Sequence, residues 1–340
     1  MKKFVSASAL GALALIALPV MAQVTFKMHH FVPPKAPPQA RFMAPWAQKV
    51  EKESGGKIQI QIFPAMQLGG TPPQLVDQVR DGVVDFTFTL PGYTADRFPR
   101  TEVFEVPFLH TNAAATAQAL QDYYDKYLQE EYKDYHVVLL YTHDGAAVHV
   151  NKPIMKLEDF KGLKLRTANR GGGVFLRGVG ATPVGSPVTE LAQMLSKGVI
   201  DGVLLPYEII PAYKIQELVK NHVDLAGKQP RIGTSVFAFL MNKKRYEALP
   251  ADLKKVIDAN SRRNIALWAG QTWQEVELPG INAAKAAGNT FMTIPEAEVA
   301  KIRTAVKPEI DKFLAELSRP GFDAVKAYAD AQQMVAKYTK

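Results

Sequence analysis

The sequence has 340 residues, 47% of them hydrophobic, a formal net charge of +8 and no cysteine. The lack of cysteine excludes disulfides, thiolate metal centres and a thiol nucleophile, so the core alone must stabilise a chain long enough for two domains. The basic excess is scattered and not interleaved with aromatics, which argues against nucleic acid as a partner and fits a protein that attracts small anions.

Lys2 and Lys3 precede an apolar run from Phe4 to Val20 and the small-residue site Val20-Met21-Ala22. The run is shorter than the roughly 20 residues of a spanning helix. It reads as a signal peptide, residues 1–22, cleaved after Ala22. "VTFKMHHF" (24–31) then alternates as a strand and enters the proline-rich loop 32–38. Phe42, Trp46 and Val50 recur at helical spacing before Gly55-Gly56. "KIQIQIF" (57–63) places its isoleucines on one face, as in a half-buried strand. Strand, helix and strand in alternation predict a mostly parallel α/β structure, whose ligands bind beyond the carboxyl ends of the strands.

Residues 74–90 (QLVDQVRDGVVDFTFTL) are echoed without gaps by residues 190–206 (ELAQMLSKGVIDGVLLP). Leu75 meets Leu191, Gly82 meets Gly198, Val83 meets Val199 and Asp85 meets Asp201. Each copy predicts an amphipathic helix, a glycine stop and a buried strand, hence two lobes on one plan. "HVVLLY" (136–141) and "FAFLMN" (237–242) read as further strands, and residues 249–288 as one long helix interrupted only by Pro279 and spanning both lobes. A chain that crosses more than once between two lobes describes a hinged clamshell with its ligand in the cleft.

The stretch "GLKLRTANRGGG" (162–173) sets two arginines beside three glycines. It lacks the lysine and hydroxyl residue of a phosphate loop and the last glycine of a dinucleotide fingerprint. From alternation alone, Lys164 and Arg166 face away from Leu163 and Leu165, which favours a surface arginine. His29 and His30 point to opposite faces of a strand and do not share a metal ion; no metal site and no cofactor are expected.

Six ordered blocks, residues 55–70, 79–89, 103–110, 156–170, 180–202 and 242–257, resemble the solute receptors of tripartite ATP-independent periplasmic (TRAP) transporters, the DctP-type family. The resemblance implies a two-lobed α/β periplasmic binding protein with mixed, mostly parallel sheets and a long lobe-spanning helix. The lobes are expected at residues 23–144 plus 231–270 and at 145–230 plus 271–340. It further implies a periplasmic receptor that closes on an organic acid and delivers it to a permease with a small and a large membrane subunit. The resemblance places Arg166 as the arginine that pairs with the substrate carboxylate, a role suited to its planar two-pronged donor. It also places Val32, Leu90, Val188 and Leu205 where receptors of sugar acids carry polar or aromatic side chains, and His149 where these carry a second arginine. The expected ligand is a monocarboxylate with an apolar or aromatic body, packed by Phe31, Tyr93, Tyr207 and Phe237. Asn169 is a further candidate donor or a turn-former, and Arg170 is the runner-up for the carboxylate. Gly171 to Gly173 are expected to form a turn into a helix starting near Val174.

The rival classes are an exported enzyme acting on a carboxylic acid, with His149, Glu190 or Glu208 as acid or base, and a clamshell serving a sensor or another permease type. The enzyme reading lacks a Gly-x-Ser-x-Gly elbow and a His-Glu-x-x-His motif.

Overall fold

The computed structural model describes residues 23–339; the expected signal peptide, residues 1–22, lies outside the described residues. The first unit runs β1 (Val24–His30), α1 (Ala44–Glu53), β2 (Ile58–Phe63), α2 (Leu75–Arg80), β3 (Phe86–Thr89), α3 (Ala113–Tyr123) and β4 (Tyr135–Thr142). The chain then crosses to β5 (Ala147–Val150), β6 (Lys164–Thr167), α4 (Arg170–Gly178), β7 (Thr182–Gly185), α5 (Leu191–Ser196), β8 (Gly202–Leu205), α6 (Ile215–Leu218) and β9 (Asn221–Leu225). It returns through β10 (Val236–Asn242), α7 (Lys243–Glu247), α8 (Ala251–Ala259), α9 (Arg263–Ala286), β11 (Thr290–Ile294), α10 (Glu296–Leu317) and α11 (Ala324–Tyr338).

The strands form two sheets, ordered β2-β1-β3-β10-β4 and β11-β9-β5-β8-β6-β7. In the first sheet β10 alone is antiparallel to its neighbours, and in the second β5 alone is. These two reversed strands are the ones entered at the first two crossings between the units; the third crossing, through α9, leads into β11 beside β9. Beside the reversed strands the first two crossing segments pair: Ala146 N–H donates to the Gly233 carbonyl (2.8 Å) and Ile232 N–H to the Ala146 carbonyl (3.1 Å).

The internal echo is structural. Each copy runs through a 3-10 turn, a short helix, a glycine with positive φ (Gly82 78°, Gly198 65°) and a buried strand, β3 or β8. The aspartates do the same work in both: Lys27 N–H donates to the Asp85 carboxylate and Lys164 N–H to that of Asp201, each at 2.8 Å. In return Asp85 and Asp201 N–H donate to the carbonyls of Lys27 and Lys164.

Three expectations are corrected. The helix expected over 249–288 is two helices, because at residues 260–262 the backbone bonds outside the helix. Arg262, at φ 55°, donates its N–H to the Val138 carbonyl, and the Asn260 carbonyl accepts from Trp46 Nε1 (2.8 Å). Pro279 lies inside α9 without ending it. Residues 324–338, expected in the second lobe, fold back as α11 onto α3, with Lys126 paired to Asp330 and Lys337 to Asp122.

Helix α9 joins the units, its start held by the pairs of Arg263 with Asp122 and Asp125 and its later turns by the Tyr207 N–H bond to Glu277. Apolar packing runs without a break from Phe26 and Phe86 of the first sheet to Val203 and Leu205 of the second. Among the described residues, no helix is long and apolar enough to cross a membrane.

Candidate functional site

A cleft lies between the sheets at the carboxyl ends of β1, β3, β6 and β8, enclosing about 710 Å³ of space that is partly open to solvent and backed by the crossing segment 232–235. This is where an α/β sheet offers loops instead of strand backbone. Of the expected site residues, Phe31, Val32, Leu90, Tyr93, Arg166, Asn169, Val188, Leu205 and Phe237 line it.

Arg166 is 1% exposed, against the surface position that alternation favoured, whereas Lys164 is exposed. Its Nε and Nη2 donate to the Ser186 carbonyl at 2.9 and 2.6 Å, which fixes the plane of the guanidinium. No carboxylate forms an ion pair with it among the described residues. Burial pulls its pKa down, opposed by the neighbouring Tyr93. A buried cation without a counter-ion costs several kcal/mol, roughly, unless an anion joins it. The geometry therefore calls for an anionic group in the cavity.

An aromatic row leads away from this cation. Ring centroids step from Tyr93 to Phe31 (5.6 Å), Phe31 to Phe88 (5.7 Å), Phe88 to Phe237 (4.9 Å) and Phe237 to Tyr141 (5.3 Å). Spacings of this order are those of favourable edge and offset contacts, and they give the cavity a rigid apolar flank.

Two groups on the wall, Glu105 and His143, escaped the sequence reading, and a third, Glu208, entered it only as an acid or base of the enzyme alternative. Glu105 accepts from Val236 N–H (2.9 Å) through Oε1 while its Oε2 is sealed without a partner. Burial pushes its pKa up to about 8, so it is largely neutral at pH 7. Backbone N–H groups of Gly145 and Ser235 point at the two ring nitrogens of His143 (3.0 and 2.9 Å), and burial holds its pKa well below the usual histidine range. The wall thus adds hydrogen-bonding groups without adding full charge next to Arg166.

Four assignments change. His149 is not on the cavity wall: its Nε2 bonds the Leu205 carbonyl (2.7 Å) and its Nδ1 the ring of His222 (2.6 Å), so it braces the wall from behind. Tyr207 also turns away, because successive residues of the 3-10 turn Tyr207–Ile209 point in different directions. Its ring lies under the Arg231 guanidinium (4.8 Å), whereas Pro206 and Glu208 reach the cavity. Asn169 lines the cavity, but its amide is committed. It caps α4 by accepting from Gly172 N–H (2.7 Å) and donates to the Thr234 carbonyl and Ser235 Oγ. Arg170 pairs with Asp96 (2.8 Å), Glu102 and Glu316 (both 3.2 Å), so it straps α4 to the first unit and to α10.

The three glycines form the first turn of α4 and not a turn before it. A Cβ on Gly171 would stand 1.9 Å from the Glu105 carbonyl oxygen. Only glycine lets the amino end of α4, the positive end of its dipole, sit this close to the other unit and beside the anion site. Of the groups raised for an enzyme, Glu190 is exposed and His149 is behind the wall, so Glu208 alone reaches the cavity. Among the described residues no three His, Asp or Glu side chains gather as a metal site.

The profile of the bacterial extracellular solute-binding proteins, family 7 (DctP), matches residues 28–317. The chain belongs to this family. The receptor is 42% identical to a marine metagenome TRAP solute binding protein specific for aromatic acid ligands, solved with 3-hydroxybenzoate (TM-score 0.91, covering 94% of this chain and all of that one). It is 40% identical to a TRAP solute binding protein from Rhodoferax ferrireducens solved with copurified benzoate (TM-score 0.91, 93% and 98% covered). It is 24% identical to the C4-dicarboxylate-binding periplasmic protein DctP of Rhodobacter capsulatus over 325 residues, 93% of this chain and 96% of that one.

Proposed function

We propose that the receptor captures an aromatic monocarboxylate in the periplasm and presents it to a TRAP permease of two membrane subunits. The observation that carries this reading is Arg166, a buried cation with no ion-pair partner among the described residues, at one end of an aromatic-lined cavity. One guanidinium suits one carboxylate, held by two parallel hydrogen bonds. The apolar flank suits a ring, and the neutral state of Glu105 lets a carboxyl group stand in a site for anions. Relatives at 40% identity and above that hold benzoate and 3-hydroxybenzoate support the same class. Export through residues 1–22, and action as a receptor that leaves its ligand unaltered, belong to this proposal.

A calorimetric panel tests it. Benzoates and related aromatic monocarboxylates are expected to bind and to be recovered unchanged after denaturing the protein. Binding confined to C4-dicarboxylates or sialic acid would overturn the ligand class, and recovery of a converted product would overturn the receptor reading.

A further inference from the structure

Glu208 lies in the turn after β8, is 2% exposed, and lines the cavity, yet its Oε2 is sealed away from water with no donor. Its backbone packs on α9, where a Cβ on Gly280 would stand 3.1 Å from Glu208 N, and this sets its carboxyl group beside that of Glu277. Two carboxyl groups bond only with a proton between them. Glu277 already accepts from Tyr207 N–H (3.1 Å) through Oε1 and from Arg231 Nη2 (3.2 Å) through Oε2, which makes it the ionised member. Glu208 is then the protonated member and spends its hydrogen on Glu277. For the cavity it has lone pairs left and no donor. Burial and the adjoining Glu277 hold its pKa well above the usual carboxylate range, in keeping with this arrangement.

The position is as telling as the chemistry. Arg166 and Tyr93 meet at residues 186–188, where Arg166 donates to the Ser186 carbonyl and Val188 N–H to the Tyr93 hydroxyl, whereas Tyr141 packs on Trp273 (4.8 Å), one turn of α9 before the Glu277 that adjoins Glu208. Tyr141 and Tyr93 stand at opposite ends of the aromatic row that passes through Phe237, Phe88 and Phe31. A ring anchored by its carboxylate on Arg166 therefore extends toward an acceptor.

We infer that Glu208 is a specificity-determining residue, accepting a hydrogen bond from a ring hydroxyl of the aromatic monocarboxylate anchored on Arg166. The inference rests on the function proposed above. A bare ring leaves the acceptor unpaired in a dry wall, which a site built to bond a hydroxyl discriminates against. A second carboxylate sets acceptor against acceptor, close to the Glu277 carboxylate. Arg231 adds no unmatched positive charge, since Asp224 and Glu277 both pair with it, although its Nε is left without a partner.

The test is isothermal titration of the full receptor with benzoate, the three hydroxybenzoate isomers and the three fluorobenzoates, which have no donor. At least one hydroxybenzoate is expected to bind about tenfold or more tighter than benzoate and than the fluorobenzoate of the same position. Glu208→Leu should reduce that ratio to about twofold or less while benzoate binds as before. Glu208→Gln should retain the preference, because its amide donates to Glu277 and its carbonyl faces the cavity. A wild type without preference, or a Glu208→Leu protein that keeps it, overturns the inference with benzoate binding still in place. If Glu208→Leu does not fold, loss of the preference in Glu208→Gln overturns it, and the fluorobenzoate comparison reads the donor requirement in the wild type. Absence of binding by every benzoate overturns the function reading itself, a different and recognisable result.

Discussion

Residues 74–90 and 190–206 are built alike and end differently. Both thread a helix, a left-handed glycine and a buried strand, and both lock the strand's entry with an aspartate that bonds the next strand at 2.8 Å. Past that point the first copy leaves its strand as Leu90-Pro91-Gly92-Tyr93, and the second, one residue earlier in the repeat, as Leu205-Pro206-Tyr207-Glu208. Both leucines line the cavity, but the first loop brings a phenol beside Arg166 and the second a carboxyl to the far end. The repeated part is scaffold and the unrepeated part is chemistry. Substitutions that respect this division should separate affinity from stability.

Arg166→Ala strikes the chemistry alone and carries the largest expected effect. It leaves a carboxylate stranded in a closed site, about 2–5 kcal/mol, so affinity for benzoates should fall at least roughly tenfold by calorimetry. The thermal midpoint without ligand should hold or rise, since a buried unpaired charge is removed.

Gly171→Ala strikes the place where the two units meet. Its Cβ would need the space of the Glu105 carbonyl at 1.9 Å, so α4 and the turn Thr101–Glu105 must separate. Overpacking of this kind costs about 1–3 kcal/mol, to be read as weaker ligand binding and, by small-angle scattering, as a less compact liganded state.

Glu105 gives the comparison a pH dependence. Its folded pKa, about 8, is raised by burial above an ordinary value of 4.5. The folded state therefore binds the extra proton, and stability falls as pH rises from about 4.5 through about 8, by at most about 1.4 kcal/mol per pH unit from this group. Thermal midpoints should drop over that window, and Glu105→Gln should flatten the drop.

The smallest effects concern the scaffold. Asp85→Ala loses the bond from Lys27 N–H and the pair with Arg245, whereas Asp201→Ala loses only the exposed bond from Lys164 N–H. Denaturant unfolding should show a loss of about 1–2 kcal/mol for the first and less for the second, with ligand affinity unchanged in both.

Much of this scaffold was legible in the residues, because alternation in 24–31 and 57–63 and the echo at matching spacing report burial directly. Arg166 was not legible from alternation, which favours a surface role for an arginine. Only its resemblance to a receptor motif pointed inward. Glu105 and Glu208 carry the side chain that most often faces water, and nothing local records that Val236 N–H or Glu277 awaits them. Tyr207 and His149 failed in the opposite sense: each has the right type and lies next to a wall residue, but turn direction and a histidine pair send it elsewhere. The break between α8 and α9 depends on a bond from Arg262 to Val138 on a distant strand, which helical periodicity cannot register.

The most direct measurement is a crystal structure of the receptor with benzoate. The carboxylate is expected within hydrogen-bonding distance of the Arg166 guanidinium and the ring against Phe31, Phe88 or Phe237. A carboxylate bound on Arg170, on Arg231 or outside the cavity, with Arg166 still unpaired, would contradict the proposed function.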